Sequence, residues 1–348
     1  MIWLVWRQHR KQAVFALITL AALAAFLVPT GIQMHRAYDE ARLDDCLRSA
    51  KRVELIDPAA GDPVSAQVDA CVQRSGRFTE RFGSLGLVGG LFWFLPLFAG
   101  MFWGAPVVAR EIEQGTHRLV WTQGVSRLRW AAVKFGLLAA GVVVVAAGYA
   151  LLVSWWRAPL DEIGAPFGTR FGYFLFDLEG IVPIGYALFA FALGVFAGVL
   201  TGRSLGAMAV TLVGFFVARL TVEFVARPRF LPQLRRAFPV EGNRLRNFLT
   251  GDWVVTAGIY DARGNAVRGG TFGTYSSDLC PPSSTIAGAP PTTVSRCVRE
   301  YGAGAYNLEM FHPASRYWLF QGIETALFVV LAAVLLLAAV YWVRRRIA

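Results

Sequence analysis

The chain has 348 residues, of which 55% are hydrophobic and only 16% charged, where soluble domains carry about 25% charged residues. Its apolar residues are gathered in blocks of about 20, the length that crosses a bilayer core, and this excludes an ordinary soluble enzyme or binding domain. The net charge is +11, but the basic residues lie at the ends of apolar blocks, as loops beside a membrane require. That placement points to a lipid bilayer as partner and away from nucleic acid.

In chain order, residues 1–12 read as an interfacial helix. Ile2, Val5, Trp6 and His9 fall on one face, with Arg7, Arg10 and Lys11 largely on another. Residues 13–34 form the first span, read as uncleaved because no small-residue cleavage site follows it. A polar extracytoplasmic loop follows at 35–84, then a second span at 85–108 and a cytoplasmic segment at 109–129. The third span covers 130–156, a short extracytoplasmic loop 157–179, the fourth span 180–200 and the fifth 205–226. Residues 227–317 are long for a structureless connection and read as a small extracytoplasmic subdomain. In it, the stretch from Asp252 to Tyr260 reads as a strand, Asp261 to Asn265 as a turn, and Ala266 onward as the return strand. The sixth span covers 318–343, and a cytoplasmic tail 344–348 closes the chain. The fold class is therefore an all-α membrane protein: six transmembrane helices, an N-terminal interfacial helix and a small mixed subdomain between the last two spans.

Short loops set the orientation. Arginines concentrate in the N-terminal segment, in the loop with Arg110, Arg118, Arg127 and Arg129, at Arg203, and in Arg344 to Arg346. All four lie on one side of a six-span protein, which makes both termini cytoplasmic in a bacterial cell membrane. The four cysteines lie in the two long loops of the other, oxidising side. Pairing within each loop, Cys46 with Cys71 and Cys280 with Cys297, is the simplest of three connectivities.

Catalytic chemistry has no carrier. There is no phosphate loop, no HExxH and no CxxC, and the four histidines (His9, His35, His117, His312) are scattered along the chain. The expectation is no catalytic residue, no metal ligand and no cofactor bound by this chain. Arg219 and Glu223 stand four residues apart inside the fifth apolar block, on one helix face. Charges within a membrane are costly, so they read as an intramembrane pair.

The most informative stretch is cytoplasmic. The second span runs into Arg110, Glu111, Glu113, Gly115 and Thr116, and Arg127 precedes the third span. Gly115-Thr116 ends the helix, and Thr116 is placed to cap a following one. The segment reads as a rigid element exposed to the cytoplasm and coupled to two spans. The pattern Glu111-x-Glu113-x-Gly115-Thr116, with Ser126-Arg127 before the third of six spans, resembles the type-2 ABC exporter permeases. The opening Trp3-Leu4-x-Trp6-Arg7-Gln8-His9-Arg10 and the closing Pro313-Ala314-Ser315-Arg316-Tyr317-Trp318 resemble actinobacterial members in particular. The resemblance implies a permease subunit that moves a substrate out of the cell. It implies docking of Arg110 to Arg127 on a separate ABC ATPase, which holds the ATP and magnesium, and assembly as a homodimer or heterodimer of permeases. The cysteine-bearing first external loop departs from many members, and nothing in the sequence selects a cargo. The rival reading is a membrane-anchored sensor or assembly protein with an extracytoplasmic ligand-binding subdomain.

Overall fold

The computed structural model describes residues 2–56, 63–115, 126–163, 170–172, 175–239, 251–271 and 304–346. Thr116, Cys280 and Cys297 lie outside these residues.

Among the described residues, six helical stretches are long and apolar enough to cross a membrane: Val5–Glu40, Gly90–Glu113, Arg127–Glu162, Val182–Thr201, Ser204–Arg229 and Ala314–Arg345. They are the first to sixth spans below. Helix α1 runs from Ile2 to Glu40 without a break, so the segment expected as a separate interfacial helix is continuous with the first span. Pro29 lies inside it, and next to it Thr30 Oγ1 donates back to Phe26 O at 2.8 Å.

The first long connection is a helical hairpin of α2 (Leu43–Ile56) and α3 (Pro63–Gly89). Arg42, at φ 47°, turns the chain out of α1. Cys46 and Cys71 are disulfide-bonded across the hairpin, with Cα atoms 5.5 Å apart. Leu43, Phe78 and Phe82 pack with Leu27, Met34 and Trp156 to seat it on the first and third spans.

The second span is not one regular helix. A 3₁₀ turn at Gly90–Phe94 leads through Leu95–Phe98 into a π-helical stretch at Ala99–Gly104, and Pro106 opens the last helix, Pro106–Glu113. This irregular backbone lies directly against the fourth span. A Cβ added at Gly104 would lie 2.4 Å from Phe191 O, and one at Gly194 would lie 2.4 Å from Gly100 O. Gly100 and Gly104 face Gly194 and Gly198, so two small-x-x-x-small stripes let the backbones touch where lipid offers no hydrophobic drive for association. The fourth span is accordingly central, with Phe189, Ala190, Phe191, Ala192 and Val195 all buried.

Between the last two spans lies a four-stranded antiparallel sheet of β1 (Leu234–Pro239), β2 (Trp253–Tyr260), β3 (Ala266–Thr271) and β4 (Tyr306–His312), ordered β1-β4-β2-β3. The β2–β3 hairpin turns where expected: Asp261 accepts from the backbone N–H groups of Arg263 and Asn265, and Gly264 has φ +84°. These bonds, to Asn265 above all, hold the exposed Asp261 carboxyl below its ordinary range. β1 follows the end of the fifth span and β4 leads into the sixth. Their ladder, Leu234 opposite Phe311 to Pro239 opposite Tyr306, therefore ties those spans together. Trp253 stacks on Phe171 at 5.6 Å and packs edge-on to Phe320, fixing the sheet to the bundle.

Candidate functional site

The end of the second span is built by two carboxylates that turn inward. Glu111 Oε1 accepts from Lys134 Nζ of the third span at 2.6 Å, and the same ammonium donates to Val107 O at 3.0 Å. The Lys134 side chain is 2% exposed and that of Glu111 14%, so this pair is a strut inside the bundle. Two residues on, the exposed Glu113 accepts from Ser204 at the start of the fifth span, from its backbone N–H and from its hydroxyl, both at 2.8 Å. A helix N-terminus carries unsatisfied N–H groups and partial positive charge, so a carboxylate from another helix is a good cap there.

The residues expected to act together are thus divided by burial. Arg110, Gln114 and Gly115 are exposed. Gly115 has φ +66°, a conformation that costs glycine little, and nothing lies within 4 Å of where its Cβ would be. Arg127 begins the third span's helix, which Ser126 caps by accepting from Arg129 N at 3.3 Å.

At the sheet end, the fourth, fifth and sixth spans meet around a buried ion network. Arg219 donates from Nε and Nη2 to Asp177 Oδ2 at 3.0 and 2.8 Å, and from Nη1 to Trp93 O at 3.0 Å. Arg227 donates to both oxygens of Glu324, at 2.7 and 2.8 Å, and to Asp177 Oδ1. Tyr186 donates to Asp177 Oδ1 at 2.9 Å and also bonds Glu324. Arg219 lies 3.5 Å over the Trp93 ring, and Arg227 lies 4.2 Å from the Phe176 ring, so aromatic faces add to the solvation of both cations. Burial opposes ionisation of Asp177, yet Arg227 and Arg219 hold its carboxyl below the ordinary range.

One expectation is corrected here. Arg219 and Glu223 do not form a pair: the ion-pair partner of Arg219 is Asp177. The regular i, i+4 spacing fails because the fifth span widens into a π-helical turn at Val222–Ala226. The guanidinium is also already filled by Asp177 and Trp93. Glu223 is buried in that turn.

Lys134 and Glu324 are buried, ion-paired positions that a reading of the fifth block alone passes over. Each is an ionisable residue inside an apolar block, the same signal that marks Arg219. Asp177 carries no such signal, because it lies in the connection before the fourth span.

Six spans joined by ion pairs at both ends, with no group of three metal-ligating side chains among the described residues, define a multi-pass membrane protein. Residues 17–227 match the family model described as ABC-2 membrane transporter related. The match covers more than half of the chain, and the chain belongs to that family. It is a transporter permease subunit rather than an enzyme in itself, and permeases of this family generally work with a separate ABC ATPase. No curated protein and no solved structure matches the chain.

Proposed function

We propose that the chain is the membrane half of an ATP-driven exporter. The observation that carries this reading is the junction after the second span. Its end is exposed at Arg110, Gln114 and Gly115, while Glu111 and Glu113 bind that same helix to the third and fifth spans. A force applied at the exposed end therefore reaches three spans at once. In this reading Arg110, Gly115, Thr116 and Arg127 meet the ATPase, which binds ATP and magnesium. Glu111 and Glu113 convey its movement.

The orientation that goes with this reading puts both termini and Arg110 to Arg127 in the cytoplasm, and the sheet outside. Its support is the Cys46–Cys71 disulfide, which six spans place at the same end as the sheet, since disulfides persist on the oxidising side. The permease acts as a homodimer or heterodimer, with substrate passing between protomers.

The test is co-expression with a candidate ABC ATPase subunit. Arg110→Glu and Gly115→Pro are expected to abolish ATPase co-purification while the permease still inserts. Glu113→Ala is expected to keep co-purification and lose substrate-stimulated ATP hydrolysis. Full co-purification and full stimulation in all three variants would remove the coupling role.

A further inference from the structure

At the sheet end, one histidine joins the sheet to the ends of two spans. His312 is the last residue of β4, opposite Trp253 of β2, and it is fully buried. Its ring contacts those of Trp253, at 5.4 Å, and of Phe320 in the sixth span, at 4.8 Å. Nε2 stands 3.3 Å from Pro228 O at the end of the fifth span. Nδ1 stands 3.3 Å from Arg316 Nη1 at the start of the sixth. The same Nη1 donates to Pro232 O at 2.7 Å, and Pro228 O also accepts from Gln233 Nε2 at 3.2 Å.

These partners fix the state of the ring. A carbonyl only accepts, so Nε2 carries the hydrogen. A guanidinium only donates, so Nδ1 presents a lone pair. The neutral Nε2–H tautomer alone makes both bonds.

We propose that His312 is a pH-sensitive latch: neutral, it holds the end of the fifth span to the start of the sixth, and a proton on Nδ1 opens it.

The proton and the bond exclude each other. A proton taken from solvent by Nδ1 uses the lone pair that accepts from Arg316, and two N–H groups then face one another. It also sets a second cation beside the guanidinium in a buried site, where screening is weak. The charged groups of the surrounding elements are engaged elsewhere. Asp252 of β2 accepts from Ala314 N and Arg236, and Glu309 of β4 accepts from Arg236 of β1. At the end of the fifth span Arg227 binds Glu324 and Asp177, and Arg229 donates to Val225 O. Among the described residues, Arg316 is the charged group bonded to the ring. Protonation therefore drives Arg316 from the histidine, and its bond to Pro232 goes with it.

Burial above all, with Arg316 adding to it, holds the His312 imidazole below the ordinary histidine range, although the Pro228 carbonyl favours the proton. The folded chain thus takes up this proton less readily than the unfolded chain. The stabilisation is complete above the unfolded value of about 6.5 and is lost as pH falls through the lower folded value. The latch does not depend on the coupling role of the opposite end.

The experiment is nitrogen NMR of the purified full chain labelled at histidine, from about pH 8 to about pH 5, where histidines titrate. His312→Gln identifies the His312 signals. They should report the Nε2–H tautomer at the upper end and titrate below about 6.5. Arg316→Met, which removes the facing cation, should keep that tautomer and raise the midpoint. The unfolding temperature of wild type should fall with acidification more steeply than that of His312→Gln. An Nδ1–H tautomer, an unchanged midpoint in Arg316→Met, or parallel unfolding profiles for wild type and His312→Gln would overturn the proposal. If His312→Gln fails to fold, a chain keeping His312 as its sole histidine identifies the signals, and the tautomer and the Arg316→Met midpoint decide.

Discussion

Glu113 caps Ser204 from another helix, accepting from its backbone N–H and its hydroxyl at the same 2.8 Å distance. The carboxylate closes the last helix of the second span onto the first turn of the fifth. Neighbouring Gly202, at φ +62°, ends the fourth span in the left-handed conformation that a tight turn needs. Two spans meet at one carboxylate, beside the end of a third. Replacing Glu113 by Ala is expected to leave insertion and expression near wild type, because the site is exposed. It should also lower coupled transport severalfold, while Glu113→Gln, which keeps one acceptor, falls between. Transport in proteoliposomes containing the ATPase measures this.

The Lys134–Glu111 strut differs because it is buried. Removing one partner leaves an uncompensated charge, which costs about 3–5 kcal/mol when the pair is buried, whereas replacing both is often near neutral. Lys134→Met should therefore be strongly destabilised, and Lys134→Met with Glu111→Gln should recover much of the loss. Thermal unfolding in detergent of the two single variants and the double variant closes the cycle. Additive losses in the double variant would show that the strut does not couple the helices.

The six spans were legible because each is a block of apolar residues long enough to cross a bilayer, a signal carried within about 20 residues. The β2–β3 hairpin was legible for a similar reason, since Asp261 and Gly264 form its turn within a few residues of chain. What could not be read was pairing at a distance. β1 and β4 are neighbours in the sheet but about 70 residues apart in sequence, and the ladder from Leu234–Phe311 to Pro239–Tyr306 leaves no local trace. The partner of Arg219 was misassigned for the same reason. Glu223 is the local candidate, whereas Asp177 is brought in by the chain's path before the fourth span. The motif Glu111-x-Glu113 was visible, but its spacing does not tell which carboxylate faces inward. That is decided by where Lys134 and Ser204 stand.

Arg227 holds Glu324 through two nitrogens and Asp177 through one, so geometry as well as charge is being used. Lysine is a point charge and cannot reproduce that fork. Arg227→Lys should therefore lower the unfolding temperature although it conserves charge. Arg227→Leu, which leaves Glu324 a buried anion without its guanidinium and Asp177 with Arg219 alone, should fail to accumulate in the membrane. Arg219→Lys should be milder, because Arg219 serves one carboxylate and one carbonyl. Membrane yield and unfolding temperature of the three variants check the ranking, and equal yields for Arg227→Leu and Arg219→Lys would contradict it.

The Cys46–Cys71 bond closes a loop of sequence separation 25 across the α2–α3 hairpin. Loop-closure entropy assigns a bridge of this size about 3 kcal/mol. Cys46→Ser should loosen that hairpin alone, seen as faster amide exchange within α2 and α3 under conditions that leave the fourth span protected. Exchange that rises uniformly across all spans would instead make the hairpin part of one cooperative unit with the bundle.

The close contact between the second and fourth spans offers a direct contrast. A methyl group at Gly194 would sit 2.4 Å from Gly100 O and 2.7 Å from Ala105 N, both backbone atoms that no side-chain rotation can move aside. At Gly136 in the third span nothing lies within 4 Å of the same added atom. Alanine in a helix interior is otherwise favoured over glycine by about 0.5–1 kcal/mol. Gly136→Ala should accordingly be neutral or slightly stabilising, whereas Gly194→Ala should force the second and fourth spans apart and lower the unfolding temperature. Because the second span carries Glu111 and Glu113 at its end, that separation should also weaken coupled ATP hydrolysis without any change at the carboxylates themselves. Measuring unfolding temperature and substrate-stimulated hydrolysis on both variants tests the packing and its consequence together, and equal behaviour of the two glycine positions would refute the close-contact account.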